Sequence, residues 1–120
     1  MAEEQGVSVR GRHVFLSGPM SGISHYNVAA FADAHATVIE HGATHVYNPA
    51  NEYLKRGRND MGHEYWMRKC LQALIGDVPC YHVLVSLPGW EDSEGARTER
   101  EVAQACGIKC VDLSEIADGE

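Results

Sequence analysis

The chain has 120 residues, enough for one domain with a hydrophobic core and too few for two ordinary domains. Ten lysines and arginines against 17 aspartates and glutamates give a formal net charge of −7, which argues against general nucleic-acid binding because that binding depends on neutralising phosphates. The longest apolar run is too short to span a membrane, and the acidic start does not resemble a secretion leader. We therefore expect a single cytoplasmic domain over residues 1–120, without a membrane partner and with a flexible segment at 1–11.

The cysteines and histidines do not form a recognisable metal-binding pattern. The four cysteines, Cys70, Cys80, Cys106 and Cys110, lack CxxC pairing, so we expect free or buried thiols in a reducing compartment. The seven histidines include no HExxH motif. We therefore expect neither a metal nor another cofactor.

The first half of the chain predicts two strands and a helix. The apolar run at residues 13–16 is typical of a buried strand, and a Gly- and Pro-rich loop follows at 17–22. Asn27 is suited to cap a helix that runs to about His41, since apolar residues recur there at three- and four-residue spacing. Residues 43–47 predict a second strand, which an Asn-Pro turn closes.

The second half repeats this alternation. A second helix is predicted from about Met61 to Ile75. Residues 81–87 form the clearest strand, and an acidic loop at 90–94 separates it from a third helix at 95–105. Residues 108–113 predict the last strand.

Alternating strands and helices predict an α/β fold with a parallel sheet of four to five strands and helices on both faces. We expect the flavodoxin-like or Rossmann-like strand order 2-1-3-4, since right-handed crossovers leave few other arrangements. Ligands of such sheets bind beyond the carboxyl ends of the strands, here between the first and third strands. This rule selects the loops at 17–22 and 88–95 as the candidate site.

Each of these loops allows a functional and a structural interpretation. Small residues in the first loop could bring backbone amides close to a ligand, or could simply make a tight strand-to-helix connection. In the second loop, Ser93 stands at the predicted helix start and Glu99 follows about one and a half turns later. The helix dipole favours an ionised Glu99, as a nucleophile requires, but Glu99 could equally be a solvated charge and Ser93 a helix cap.

Five motifs in a fixed order resemble the nucleoside 2-deoxyribosyltransferase-like superfamily. The resemblance is closest to a small, largely uncharacterised branch that is similar to 2′-deoxynucleoside 5′-phosphate N-hydrolases. It covers roughly Val14 to Val111. The motifs are Leu16–Gly22, Asn48-Pro49, Trp66-Met67-Arg68, Leu87–Trp90 and Ser93–Glu99.

The resemblance implies cleavage of an N-glycosidic bond, or deoxyribosyl transfer, on a nucleoside 5′-monophosphate. In that chemistry Glu99 would attack C1′ of the sugar, and Ser93 would contact the phosphate. Proteins of this superfamily usually assemble, so we also expect a homo-oligomer whose ligand is a small nucleotide. The remaining implied substrate-binding residues are Ser17, Gly18, Pro19, Met20, Ser21, Gly95 and Arg97. Two aromatic residues are further candidates: Tyr26 could line the pocket, and Trp90 could either stack on a base or simply cover the end of the sheet.

Cys70 departs from the superfamily pattern, because an aspartate is common at this position. A thiol can donate a proton but hydrogen-bonds more weakly than a carboxyl group. His63, Glu64 or Asp60 could replace the aspartate, and Cys70 could instead be a core residue. The sequence therefore leaves a second function open, a non-catalytic nucleotide-binding or sensing module that uses the same pocket.

Overall fold

A computed structural model of the chain describes residues 7–20, 27–50, 63–76, 81 and 83–116, without the side chains of His63 and Trp66. The expectations for Ser21, Tyr26, Asp60 and Cys80 lie outside these residues. The strands are β1 (His13–Ser17), β2 (His45–Tyr47), β3 (Val83–Ser86) and β4 (Lys109–Asp112). The helices bounded within the described residues are α1 (Val28–Glu40), α2 (His63–Ile75) and α3 (Glu94–Ala105).

The four strands form one sheet in the order β2-β1-β3-β4. Every neighbouring pair is parallel, and the register places Phe15 opposite Leu84 and Leu84 opposite Cys110. This arrangement confirms the predicted α/β fold and its 2-1-3-4 order. Because β1 and β3 are central neighbours, the loops that follow them emerge side by side.

Successive residues of the central strands face opposite layers of the core. Val14 and Leu16 pack with the buried face of α1, whereas Phe15 packs with Leu74 of α2 and Ala103 of α3. Both sheet faces are therefore covered by helices. This explains why β1 and β3 are nearly continuous apolar runs, as expected for strands buried on both sides.

The start of the described chain packs against the rest of the domain. Val9 is fully buried, and the backbone N–H of Val7 donates to the carbonyl of Glu115 at 2.8 Å. Gly11 N–H likewise donates to Gly42 O at 2.8 Å. Two valines at alternate positions, Val7 and Val9, therefore add to the core.

Two local expectations also need correction. Asn27 does not cap α1 through its side chain, and its backbone is left-handed with φ of 63°. The segment expected as an acidic loop contains one turn of 3₁₀-helix at Trp90–Asp92, which begins after Gly89 with φ of 89°.

Within the described part of the chain, no helix combines the length and apolar character needed to cross a membrane.

Candidate functional site

A cavity of about 680 Å³ lies at the carboxyl ends of β1 and β3. Its size falls in the range of about 300–1,000 Å³ that small-molecule sites occupy. The two loops selected from the sequence meet here, since Leu87 N–H donates to Ser17 O at 2.8 Å. The cavity is lined by Gly18, Pro19, Met20, Asn27, Met67, Cys70, Pro88, Gly89, Asp92, Ser93, Glu94, Gly95, Ala96 and Glu99.

Glu99 is a buried carboxyl group on the wall of this cavity. It belongs to α3 and is only 7% exposed, so it is not the solvated surface charge that the sequence also allowed. The hydroxyl of Ser17, the last residue of β1, donates to its Oε1 at 2.5 Å. Ser17 is itself fully buried. The contact ties the end of the first strand to the last long helix.

Burial changes the ionisation of Glu99. Desolvation raises its pKa from 4.5 to about 7, and hydrogen bonds from Ser17 and Cys70 partly offset that rise. Burial thus opposes the helix-dipole effect expected from the sequence and lowers the ionised fraction of Glu99 at neutral pH. The dipole acts mainly within the first turn, and Glu99 lies beyond it, five residues after Glu94, the first residue of α3.

Cys70 lies at the junction of the core and the cavity. It is 5% exposed and packs in the apolar cluster with Phe15 and Leu74, yet it also lines the cavity. Cys70 also lowers the pKa of Glu99 slightly, against the larger effect of burial. Cys70 is thus a core residue that also borders the cavity, and a chemical role for its thiol stays a prediction.

Ser93 caps α3 and lines the cavity at the same time. Its Oγ accepts a hydrogen bond from Ala96 N–H at 3.2 Å, which satisfies one of the free donors of the first helical turn. Its hydroxyl hydrogen remains available to a ligand oxygen. Gly95 lies beside it on the cavity wall.

Gly18 is required by packing at the site. A Cβ atom at this position would lie 2.8 Å from Cβ of Leu87, closer than such atoms approach in proteins. The absence of a side chain lets β1 end tightly against the loop after β3. Pro19 and Met20 continue this wall of the cavity.

Residues 12–112 match the model of a family described as Domain of unknown function (DUF4406). The chain belongs to this family. Because the match covers most of the chain, the sheet and both site loops lie inside the DUF4406 domain. No curated protein matches the sequence at a significant level.

Four of the described residues proposed from the sequence, Ser17, Glu64, Trp90 and Arg97, do not line the cavity of the DUF4406 domain. Ser17 is instead fully buried against Glu99. Arg97 is exposed and donates to the carbonyl of Glu91 at 2.7 Å, and Glu64 is exposed on α2. Trp90 donates through its indole N–H to Asp112 at 3.1 Å, and its ring lies 4.3 Å from Cζ of Arg100. Trp90 therefore packs over the ends of β3 and β4.

The structure adds cavity residues that the sequence did not identify, above all Asn27 and Met67. Nδ2 of Asn27 donates to the carbonyl of Pro19 at 2.9 Å, which holds the first loop from within the cavity. The motif Trp66-Met67-Arg68 was the only sequence signal for Met67. Asn27 gave no separate signal, since asparagine is equally typical of a helix cap.

The described wall of the cavity is acidic. Asp92 and Glu94 join Glu99 there, and none of the described residues that line it is basic. The described part of the chain also brings together no three His, Cys, Asp or Glu side chains that could hold a metal ion. The described site thus offers a desolvated carboxyl group, hydroxyl and amide groups, and apolar surface.

Proposed function

We propose that the DUF4406 domain breaks the N-glycosidic bond of a nucleoside or a nucleoside 5′-monophosphate, with Glu99 as the nucleophile. One observation carries the proposal: a buried carboxyl group, held by Ser17, forms part of the wall of a ligand-sized cavity. A strongly perturbed carboxyl group in a cleft is typical of functional sites. The resemblance of the loop motifs to the deoxyribosyltransferase-like superfamily supports the choice of substrate.

The environment of Glu99 suits a poorly hydrated nucleophile, while burial lowers the fraction that is ionised at neutral pH. With a pKa of about 7, roughly half of the molecules carry the carboxylate at pH 7. That carboxylate has little water around it, because the side chain is 7% exposed. A poorly hydrated anion next to an apolar cavity attacks an electron-deficient carbon without first losing a hydration shell.

The proposed reaction follows the retaining course of glycoside cleavage. An oxygen of Glu99 forms a bond to C1′, the C1′–N bond breaks, and its electron pair leaves with the base, which takes up a proton. Water, or a second base in the transfer reaction, then attacks C1′ and restores the carboxylate. With water, the sum is nucleoside plus water giving free base plus sugar.

The cavity wall bears on whether a 5′-phosphate is accepted. Ser93 can donate its hydroxyl hydrogen to a phosphate oxygen, but Arg97, the proposed ion partner, bonds to Glu91 instead. Asp92 and Glu94 would repel a dianion at the same wall. We therefore propose both nucleosides and their monophosphates as substrates to be compared.

Release of free base is the direct test. The protein is incubated with a panel of nucleosides and matching 5′-monophosphates, and free base is measured by chromatography. We expect the wild type to release base from at least one of them and Glu99→Gln to lose at least 100-fold in rate, because an amide cannot act as the nucleophile. Glu101→Gln, an exposed carboxyl on the same helix, serves as the matched control.

Two outcomes would overturn the proposal. One is equal rates for the wild type and Glu99→Gln. The other is saturable ligand binding, seen as a thermal shift, without any release of base from the whole panel. The second outcome would instead support the non-catalytic binding or sensing module that the sequence left open.

We also propose that the protein acts as a cytoplasmic homo-oligomer. This rests on the sequence resemblance, since related proteins assemble so that neighbours complete each other's pockets. Light scattering of the purified chain is expected to give at least twice the mass of 13.2 kDa. A monomer at the concentration used for the activity assay would contradict it.

A further inference from the structure

The part of the cavity wall that carries Ser93 is held from its outer side. It contains the 3₁₀ turn Trp90–Asp92, which lies between Gly89 and Ser93. Ser93 N–H donates to the carbonyl of Trp90 at 3.0 Å, so the position of Ser93 follows that of Trp90. The Trp90 side chain itself lies outside the cavity and packs against Arg100 of α3.

Arg100 joins three separate parts of the chain. Its Nη1 donates to Oγ of Ser86 at 2.9 Å and to Oδ1 of Asp112 at 3.2 Å. Ser86 and Asp112 are the last residues of β3 and β4 and lie opposite each other in the sheet. The guanidinium carbon Cζ also lies 4.3 Å from the centre of the Trp90 ring, which makes a cation–π contact.

Trp90 is bonded to the same aspartate as Arg100. Its indole N–H donates at 3.1 Å to Oδ1 of Asp112, the oxygen that also accepts from Arg100. Arginine suits this place because a planar guanidinium can stack on an aromatic ring while its N–H groups bond to oxygens, whereas the ammonium group of lysine is a point charge. The turn is therefore fixed to the ends of β3 and β4 by side chains outside the cavity.

This cluster does more than cover the end of the sheet. An apolar ring would be enough for covering, but here hydrogen bonds and stacking fix the orientation of Trp90. The side chain of Arg100 is only 18% exposed and supplies a partner for the hydroxyl of Ser86, which is 1% exposed. Because Arg100 directly follows Glu99, α3 carries both the buried carboxyl group and the side chain that holds the turn.

We propose that Arg100 is a positioning residue for the candidate site: together with Trp90, it holds the turn at 90–92 in the place where Ser93 borders the cavity. Neither side chain touches the ligand. The effect on the turn is independent of the proposed function, whereas the effect on substrate binding rests on it.

The order of the turn tests the proposal without an activity assay. In ¹⁵N-labelled protein, NMR relaxation of the Gly89 and Ser93 amides and hydrogen exchange of the Trp90 indole N–H are measured. The chain has two tryptophans, and the Trp90 indole signal is assigned by its loss in Trp90→Phe. Arg100→Lys is expected to make both amides more mobile and indole exchange about three- to tenfold faster. Arg12→Lys, an exposed arginine just before β1, is the matched control.

The kinetics of base release separate positioning from loss of folded protein. For the substrate that the wild type cleaves best, Arg100→Lys is expected to raise KM about three- to tenfold and to leave kcat within about twofold. Glu99 keeps its contact with Ser17, so the chemical step changes little. Partial unfolding would instead lower the apparent kcat and leave KM unchanged.

A double variant tests whether the two side chains act together. Trp90→Ala is expected to raise KM as Arg100→Lys does. The combined variant is expected to raise it no further than the larger single effect, because both changes break the same contact. Multiplication of the two effects would mean that the side chains act separately and would overturn their joint role.

Two further results would overturn the proposal: unchanged mobility of the Ser93 amide in Arg100→Lys, or a fall in kcat at an unchanged KM. If Arg100→Lys does not fold, Trp90→Phe, which keeps a ring but loses the indole N–H, is measured instead. An unchanged Ser93 amide in that variant would likewise overturn the proposal. If the turn loosens as expected while even the wild type releases no base, the positioning role stands and the proposed function falls.

Discussion

Ser17 and Glu99 are 82 positions apart in the chain, yet the hydroxyl of one donates to the carboxyl of the other at 2.5 Å. The sheet brings them together, because β1 ends next to β3 and α3 packs beside both strands. Their contact lies where the strand order reverses, the place at which α/β sheets bind ligands. A buried donor and a buried acid are thus fixed at the end of the sheet where the described loops after β1 and β3 border the cavity.

The rate of base release should rise with pH through about 7. Glu99 must lose its proton to act as a nucleophile, and burial raises its pKa to about 7. We expect kcat/KM to increase nearly tenfold per pH unit well below 7 and to level off above it. An unphosphorylated nucleoside is the better substrate for this measurement, because a phosphate group titrates at about pH 6.

The opposite dependence of kcat/KM on pH would assign a different role to Glu99. A rate that falls as pH rises through 7 would mean that the protonated form is active, as in a general acid. Glu101→Gln is expected to show the wild-type profile, since its side chain is exposed and is not part of the cavity wall.

Glu99→Gln should stabilise the protein at alkaline pH. Because the folded chain binds the Glu99 proton up to about pH 7 and the unfolded chain only up to about 4.5, wild-type stability falls as pH rises between these values. The free energy of unfolding falls by on the order of 3 kcal/mol over this range, and Glu99→Gln avoids this fall because glutamine does not titrate. Urea unfolding should therefore show the variant more stable at pH 8 and nearly equal to the wild type at pH 4.5.

A stability gain of the same size at both pH values would contradict this account, because an amide that simply packs better would be indifferent to pH. Glu101→Gln, exposed on the same helix, should show no pH-dependent gain. Together with the expected loss of activity in Glu99→Gln, the result would show a functional group kept at a cost in stability.

Gly18→Ala should disturb the junction between the two site loops. The added Cβ would lie 2.8 Å from Cβ of Leu87, an atom fixed to the backbone that cannot rotate away. Overpacking of this kind typically costs about 1–3 kcal/mol. Thermal unfolding should show a lower melting temperature. A variant as stable and as active as the wild type would show that the two loops can move apart at Gly18 without loss of stability.

The order of the sheet was predictable because the sequence alternates short apolar runs with helical spacing, and few parallel topologies are compatible with that pattern. The same rule located the site near Ser17 and Ser93. The orientation of Arg97 was in principle predictable as well. Residues two apart on a helix point about 200° from each other, so a helix that turns Glu99 inward turns Arg97 outward.

The ionisation of Glu99 was not predictable from local sequence. It depends on burial by α2 and by the loops after β1 and β3, which are distant in the chain. A partial signal was available in the spacing of Ala96, Glu99 and Ala103, which places the glutamate in the buried stripe of α3. The left-handed backbone of Asn27 had no such signal, since asparagine is typical both of a side-chain helix cap and of this backbone conformation.

Asn27 offers a paired test of backbone and side-chain roles. Its φ of 63° costs a residue with a Cβ about 1–2 kcal/mol, except that asparagine tolerates this conformation better than most. Its side chain also donates to Pro19 O at 2.9 Å and lines the cavity. Asn27→Gly keeps the backbone conformation and loses the amide, whereas Asn27→Ala loses the amide and adds strain.

We therefore expect Asn27→Ala to be less stable than Asn27→Gly by about 1 kcal/mol in urea unfolding. Both variants should bind nucleoside ligands more weakly than the wild type, because both release the first loop from Asn27. Equal stability of the two variants would show that the left-handed backbone is not retained in solution. Wild-type affinity in both would show that the amide holds the loop without shaping the cavity, so that Asn27 would belong to the fold and not to the site.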